Sequence, residues 1–151
     1  MTYADGLRAA TPTLETAASL IDGLLCKYTY TNLSSVINTT STSIVDMTGT
    51  GTSVTVASGE IVVLLGLCSW SHGTLGGQMS LYIARGGSTL TNGVASTTYV
   101  SSTAGYTNSM PIFAIDAPSA GTYSYTLQWA CVSGTLYSAH QRLAAIVLQN
   151  T

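Results

Sequence analysis

The sequence predicts an all-β protein, a β-sandwich or jelly roll entered through an N-terminal arm and one short α-helix. Three observations point there. From Lys27 onward apolar and polar residues alternate with period two, the spacing that puts one face of a strand on a core and the other in solvent. Turn-forming residues punctuate the alternating stretches, among them Gly49, Gly51, Ser58-Gly59, Gly76-Gly77, Gly86-Gly87, Asn92-Gly93, Ala120-Gly121 and Ser133-Gly134. Several short strands with frequent turns are the pattern of sandwiches. The 151 residues suit one compact domain, divided into residues 1–26, arm and helix, and residues 27–151, the sandwich.

Residues 1–10 have no periodic pattern and read as an arm. Leu14, Ala17, Ala18, Ile21 and Leu25 then recur at helical spacing, with Leu20 and Leu24 widening the stripe. Thr11 and Pro12 supply an N-cap and a first helical position. Gly23 weakens or ends the last turn. A helix of roughly 12 residues is marginal alone, so it needs a surface, either its own domain or a neighbouring subunit.

Strands follow. Val54 and Val56 alternate with Ser53 and Thr55, and Met79, Leu81 and Ile83 with Gln78, Ser80 and Tyr82. A weak strand falls around Thr97 to Ser101, inside a stretch (86–110) rich in Gly, Ser, Thr and Asn that reads as a long loop. Pro111 to Asp116 forms a short strand stopped by Ala117-Pro118. Thr122 to Val132 alternates most clearly, with Tyr123, Tyr125, Leu127, Trp129 and Cys131 on one face.

Two strands depart from alternation. Ile61 to Leu65 and Leu143 to Leu148 are apolar on both faces. Such a strand must be covered on both sides. In a small sandwich only one side of a sheet meets the core, so the second needs a helix or another subunit. Each Leu, Ile or Val left wet forgoes about 1.5–3 kcal/mol, a large share of a domain stability of about 5–15 kcal/mol.

The composition agrees with assembly. Hydrophobic residues make up 46% of the chain and charged residues only 7%, against roughly 25% in ordinary soluble proteins. A surface of Thr, Ser, Asn and Gly has little repulsion to keep copies apart and is cheaper to dehydrate than a charged one. The four basic residues, Arg8, Lys27, Arg85 and Arg142, are scattered. They cannot neutralise a row of phosphates or form a polybasic membrane patch, so nucleic acid and membrane are not expected partners. The longest apolar run, Ile61 to Cys68, is far shorter than the ~20 residues of a membrane span. The opening Met1-Thr2-Tyr3-Ala4-Asp5 lacks the basic region of a signal peptide.

No residue pattern suggests chemistry. Cys26, Cys68 and Cys131 are far apart, and Cys68 and Cys131 sit in apolar runs, where a buried free thiol is expected. His72 and His140 are not at metal-ligand spacing and read as solvated or hydrogen-bonded. The carboxylates are isolated, and neither a GxSxG elbow nor a phosphate-cradling glycine loop occurs. Catalytic, metal and cofactor-binding residues are therefore expected to be absent. Asn32-Leu33-Ser34 and Asn38-Thr39-Thr40 fit the glycosylation sequon, as chance allows in so Ser/Thr-rich a chain. Tyr28, Tyr30, Tyr99, Tyr106 and Tyr137 offer a sugar-stacking or interface surface, or simply pack at sandwich edges.

The order of motifs carries a resemblance over roughly residues 43–149. Ile44-Val45-Asp46-Met47 is followed by Ser53-Val54-Thr55-Val56, by Ser58-Gly59-Glu60 and by the long apolar strand ending Cys68-Ser69-Trp70-Ser71. Ala117-Pro118-Ser119-Ala120-Gly121 then leads into the Tyr-rich strand, and Arg142 to Leu148 closes the chain. This resembles the small jelly-roll modules of tailed-phage virions, which look like trimeric tumour-necrosis-factor and C1q heads. The resemblance implies a non-enzymatic homotrimer, made in the host cytoplasm and carried on the virion. A chain opening on its own Met with a short arm is more similar to a capsid decoration (cement) protein, bound to the major capsid protein at the shell surface, than to a receptor-binding tail-fibre tip. The two-faced strands then nominate Ile61, Val63, Leu65, Leu143, Ile146 and Leu148 for contact between copies. Tyr3, Leu7, Arg8, Leu14 and Ile21 are expected to reach the shell or an adjoining trimer.

Overall fold

A computed structural model describes residues 27–73, 77–94, 98–99 and 108–149. The predicted arm and helix, with Tyr3, Leu7, Arg8, Leu14 and Ile21, lie outside the described residues, as do Cys26 and Tyr106. Among the described residues every regular element is a strand.

The strands are β1 (Lys27–Leu33), β2 (Ile37–Thr39), β3 (Val45–Asp46), β4 (Thr52–Val56), β5 (Glu60–His72), β6 (Gln78–Arg85), β7 (Ser88–Val94), β8 (Thr98–Tyr99), β9 (Asn108–Asp116), β10 (Gly121–Cys131) and β11 (Leu136–Gln149). They form two antiparallel sheets. In the first, the order is β1-β11-β5-β9, with β2 also on β11; in the second, it is β3-β10-β6-β7, with β4 also on β10 and β8 on β6. The chain crosses between sheets repeatedly: β1 and β2 lie in the first, β3 and β4 in the second, β5 in the first, β6 to β8 in the second, then β9, β10 and β11 alternate. The result is a β-sandwich, as predicted.

The sequence named no strand at β1 or β2, and β7 occupies part of what it read as a long loop. β6 and β7 join through Gly86 and Gly87, both at positive φ (55° and 83°). That conformation suits a two-residue hairpin and favours glycine.

Inward-facing side chains of both sheets build one core. Trp70, Trp129, Tyr125, Leu64, Leu81 and Leu127 are fully buried in it. Gly66 leaves no room for a side chain between its β9 neighbour and the facing sheet. A Cβ there would lie 2.6 Å from Ile112 Cγ2 and 2.9 Å from Leu127 Cδ2. Cys68 and Cys131 are free and buried, as expected, and burial pushes the Cys68 thiol up to about 12. His72 is also buried, and its Nε2–H donates to the Ser133 carbonyl oxygen at 2.6 Å.

Strand β11 contains the fold's decisive irregularity. Its register with β5 shifts between Ala139 and Arg142, where His140 takes a φ of 55°. Before this bulge Leu136 and Ser138 face the core; after it Gln141, Leu143, Ala145 and Val147 do. One added residue has moved the inward set from even to odd positions. Gln141, turned inside, donates through Nε2 to Ser138 Oγ at 3.1 Å, and Ser138 Oγ–H donates to the Ser69 carbonyl at 2.9 Å.

Candidate assembly interface

The outer face of the first sheet is built from residues of one parity on each strand. β5 contributes Ile61, Val63, Leu65 and Leu67, all partly or largely accessible, while Val62, Leu64, Gly66 and Cys68 point inward. On β11 the bulge sends Ala144, Ile146 and Leu148 outward. On β9, Pro111, Phe113 and Ile115 are exposed, and on β1, Tyr28, Tyr30 and Asn32.

The strand register arranges these side chains in rows across the sheet. One row runs Tyr28, Ile146, Val63, Ile115; the next runs Tyr30, Ala144, Leu65, Phe113. Leu148 and Ile61 extend the patch at one end. At the other end the row Asn32, Arg142, Leu67, Pro111 turns half polar, and Arg142 Nε–H donates to Asn32 Oδ1 at 3.1 Å. Tyr28 is 69% exposed, Tyr30 66%, Phe113 57% and Leu65 47%, with Ile115 and Leu148 somewhat less. With 150–250 Å² for each of the three aromatic side chains and somewhat less for each of the three aliphatic ones, these six leave on the order of 600 Å² of surface in contact with solvent. That approaches the ~800 Å² one partner contributes to a stable interface, and it matches the largest patches found on ordinary monomers.

The structure separates the nominated contact residues. Ile61, Val63, Leu65, Ile146 and Leu148 share the outer face. Leu143 does not: its side chain is 0% exposed, locked in the core. The correction is one of parity, because residues 143 and 146 of one regular strand point to opposite faces. On that strand Ala144, Ile146 and Leu148 form the outward set. Sequence reading missed Phe113 and Ile115, and it named Tyr28 and Tyr30 as a stacking or interface surface without placing them on this face; only the register puts β1 beside β11.

The outer face of the second sheet is different in kind. Ser53, Thr55, Thr122 and Ser124 are exposed there. Thr55 and Thr122 share a hydrogen bond of 3.0 Å, and Ser53 Oγ–H donates to the Tyr123 carbonyl at 3.3 Å. Two sheets of one sandwich thus present an apolar and a hydroxyl-covered side.

Two ionic clusters sit away from the apolar face. Lys27 Nζ donates to Glu60 at 2.9 Å, and Glu60 Oε2 accepts from the Ala57 N–H at 2.7 Å. The backbone N–H and then Lys27 hold the Glu60 carboxyl below its usual range. At the open edge between β7 and β9, Arg85 Nη1 donates to both Asp116 oxygens (2.9 and 2.8 Å), and Tyr125 O–H donates to Oδ2 at 2.7 Å. Arg85 also stacks over the Tyr123 ring, 5.3 Å from its centroid. Arg85 and Asp116 line a polar cleft of about 570 Å³ together with Ser88, Thr91 and Asn92. No cluster of His, Cys, Asp and Glu able to hold a metal occurs among the described residues. No helix among them is long and apolar enough to cross a membrane.

No protein-family model matches the sequence, and no curated protein matches it. Solved structures do match in fold. A chain from the structure of infectious bursal disease virus, Gx strain, superposes with a TM-score of 0.58 at 12% identity, over 83% of this chain and 33% of the viral one. The VP2 subviral particle of infectious bursal disease virus gives 0.52 at 14% identity, over 83% and 33%. The Eiger tumour-necrosis factor of S. frugiperda gives 0.50 at 13% identity, over 82% of this chain and 94% of that one. At these identities the likeness is one of fold. The chain spans about a third of the length of the viral chains it matches.

Proposed function

We propose that this chain is a non-enzymatic structural protein of a virion, a jelly-roll module that assembles as a homotrimer through the outer face of its first sheet and decorates the outer shell of a phage capsid. The observation that carries the reading is the continuous apolar face, Tyr28 and Tyr30 through Ile146, Val63 and Leu65 to Phe113 and Ile115. An exposed apolar face at the top of the range for monomers is often functional, and a partner that covers it removes that surface from water. The contrast with the hydroxyl-covered second sheet supports one direction of assembly, apolar faces inward and Ser/Thr faces outward. Alternation of the chain between sheets supports the jelly-roll assignment, and the fold shared with VP2, which builds a subviral particle, supports the virion setting.

In this reading Ile61, Val63, Leu65, Ile146 and Leu148 meet the other copies. Tyr3, Leu7, Arg8, Leu14 and Ile21 form an arm that contacts the major capsid protein or an adjoining trimer. Three arms on one trimer multiply weak contacts into firm attachment. The test has two parts. Light scattering of the purified chain at micromolar concentration should give three times 15.6 kDa; a monomer ends the proposal. Deleting residues 1–12 should weaken co-sedimentation with purified shells and leave the trimer intact; undiminished binding removes the arm from the account.

A tail-fibre tip is the second reading, and one feature favours it: the polar cleft floored by Arg85 and Asp116 has the size and hydroxyl-rich rim of a glycan site. Binding to host-cell glycans, with none to shells, would select it.

A further inference from the structure

We infer that copies of this chain meet by a knob-and-hollow contact, Phe113 of one copy seated over Ala144 of the next, between that second copy's Tyr30 and Leu65. The inference rests on the assembly reading above and specifies its contact.

The row Tyr30, Ala144, Leu65, Phe113 carries the argument. Three of its members are large and one is a single methyl. Adjacent strands lie about 4.8 Å apart, so Tyr30 and Leu65 stand about 10 Å from each other with only Ala144 between them. That leaves a hollow of about 450 Å³, lined by Tyr30, Leu65, Arg142 and Ala144. The width admits one aromatic ring. At the far end of the same row stands Phe113, 57% exposed on edge strand β9. Knob and hollow point the same way from one sheet, two strands apart, so no copy can fill its own hollow. Rotation about an axis facing the sheet brings the β9 flank of one copy onto the β1 flank of the next. Such a head-to-tail contact closes into a ring of three when each copy is turned by a third of a revolution from the last.

The chemistry of the hollow suits a phenyl ring. Tyr30 offers an aromatic edge or face. Arg142 stands at the rim, its Nε–H held by Asn32, with the rest of the guanidinium available to lie over an aromatic face. An aliphatic knob would use neither. Ile115, in the next row, faces Val63 and Ile146, where no such small residue opens a hollow.

The test uses full-length chains carrying Cys26→Ser, since Cys68 and Cys131 are buried. Phe113→Cys and Ala144→Cys are made in separate chains, because the two positions lie close enough in one copy to link internally. A short bismaleimide is the reagent, as a ring-filled hollow holds the two Cα atoms farther apart than a disulfide spans. Co-expressed chains should give a covalent pair of twice the chain mass, and either chain alone should not. Two results overturn the inference and spare the assembly reading: a trimer by light scattering with no cross-link in the mixture, or equal cross-linking of the Phe113→Cys chain alone, which means like-on-like packing. A wild-type monomer overturns both. As a second measurement, Ala144→Phe fills the hollow from within. It should weaken association at least tenfold with an unchanged circular dichroism spectrum; association at wild-type strength overturns the contact.

Discussion

Asp116 is where three strands are tied by one carboxylate. It ends β9, accepts from Arg85 at the end of β6 and accepts from Tyr125 in β10. Removing it leaves a guanidinium and a buried phenol without their partner, a loss of about 2–3 kcal/mol for charge-assisted hydrogen bonds. Asp116→Ala should therefore lower the urea midpoint by that amount at an unchanged slope. Burial, reinforced by Asp116, pushes the Tyr125 phenol up from 10.0, and burial pushes Cys68 from 9.0 up to about 12. Both groups keep their protons in the folded chain after the unfolded chain has released them. Stability is thus fully present below pH 9 and is lost as pH rises from 9 toward 12, by up to about 1.4 kcal/mol per pH unit for each group. Urea titrations at pH 8 and 10.5 should show the fall, and Cys68→Ala should reduce it. A flat profile would mean that the two groups titrate alike in both states.

The bulge of β11 decides which way the last strand presents its side chains. His140 sits there at a φ of 55°, a left-handed conformation costly for an L side chain and free for glycine. His140→Gly should raise stability by about 0.5–1 kcal/mol, read as a higher Tm, without changing the oligomer. Deleting His140 should do the reverse. It would restore one parity through the strand and drive either Leu143, Ala145 and Val147 out of the core or Leu136 and Ser138 out of their places. The expected outcome is loss of the cooperative unfolding transition. On β5, Gly66 is closed in by Ile112 and Leu127, and Gly66→Ala should cost about 1–3 kcal/mol through overpacking against them.

At the scale of the molecule, the sandwich is lopsided: apolar on the outside of one sheet, hydroxyl-bearing on the outside of the other. Polar replacement at Leu65 and Phe113, both exposed, removes little from the core. If the proposed trimer forms through this face, the double change Leu65→Ser with Phe113→Ser should leave the circular dichroism spectrum intact and shift light scattering from three copies to one. A double variant that stays trimeric would place the contact elsewhere on the surface.

The strand periodicity, the turns and the two-faced apolar character of two strands were fixed by residue order alone, because alternation is a local property of the backbone: Tyr123 to Cys131 could face only one way, and Ile61 to Leu65 carries apolar side chains on both faces. Cys68 and Cys131 as buried thiols were legible for the same reason. Which members of the apolar strands face outward was not. That depended on a bulge between Ala139 and Arg142 with no local signature, and it moved Leu143 into the core. The pairing of β1 with β11, which adds Tyr28 and Tyr30 to the face, joins residues more than a hundred positions apart. The same holds for the carboxylate of Asp116, isolated in sequence and shared by three strands in space. Side-chain direction within a strand is set by the two bonds on either side of a residue, whereas register and neighbours are set by the packing of the whole sandwich.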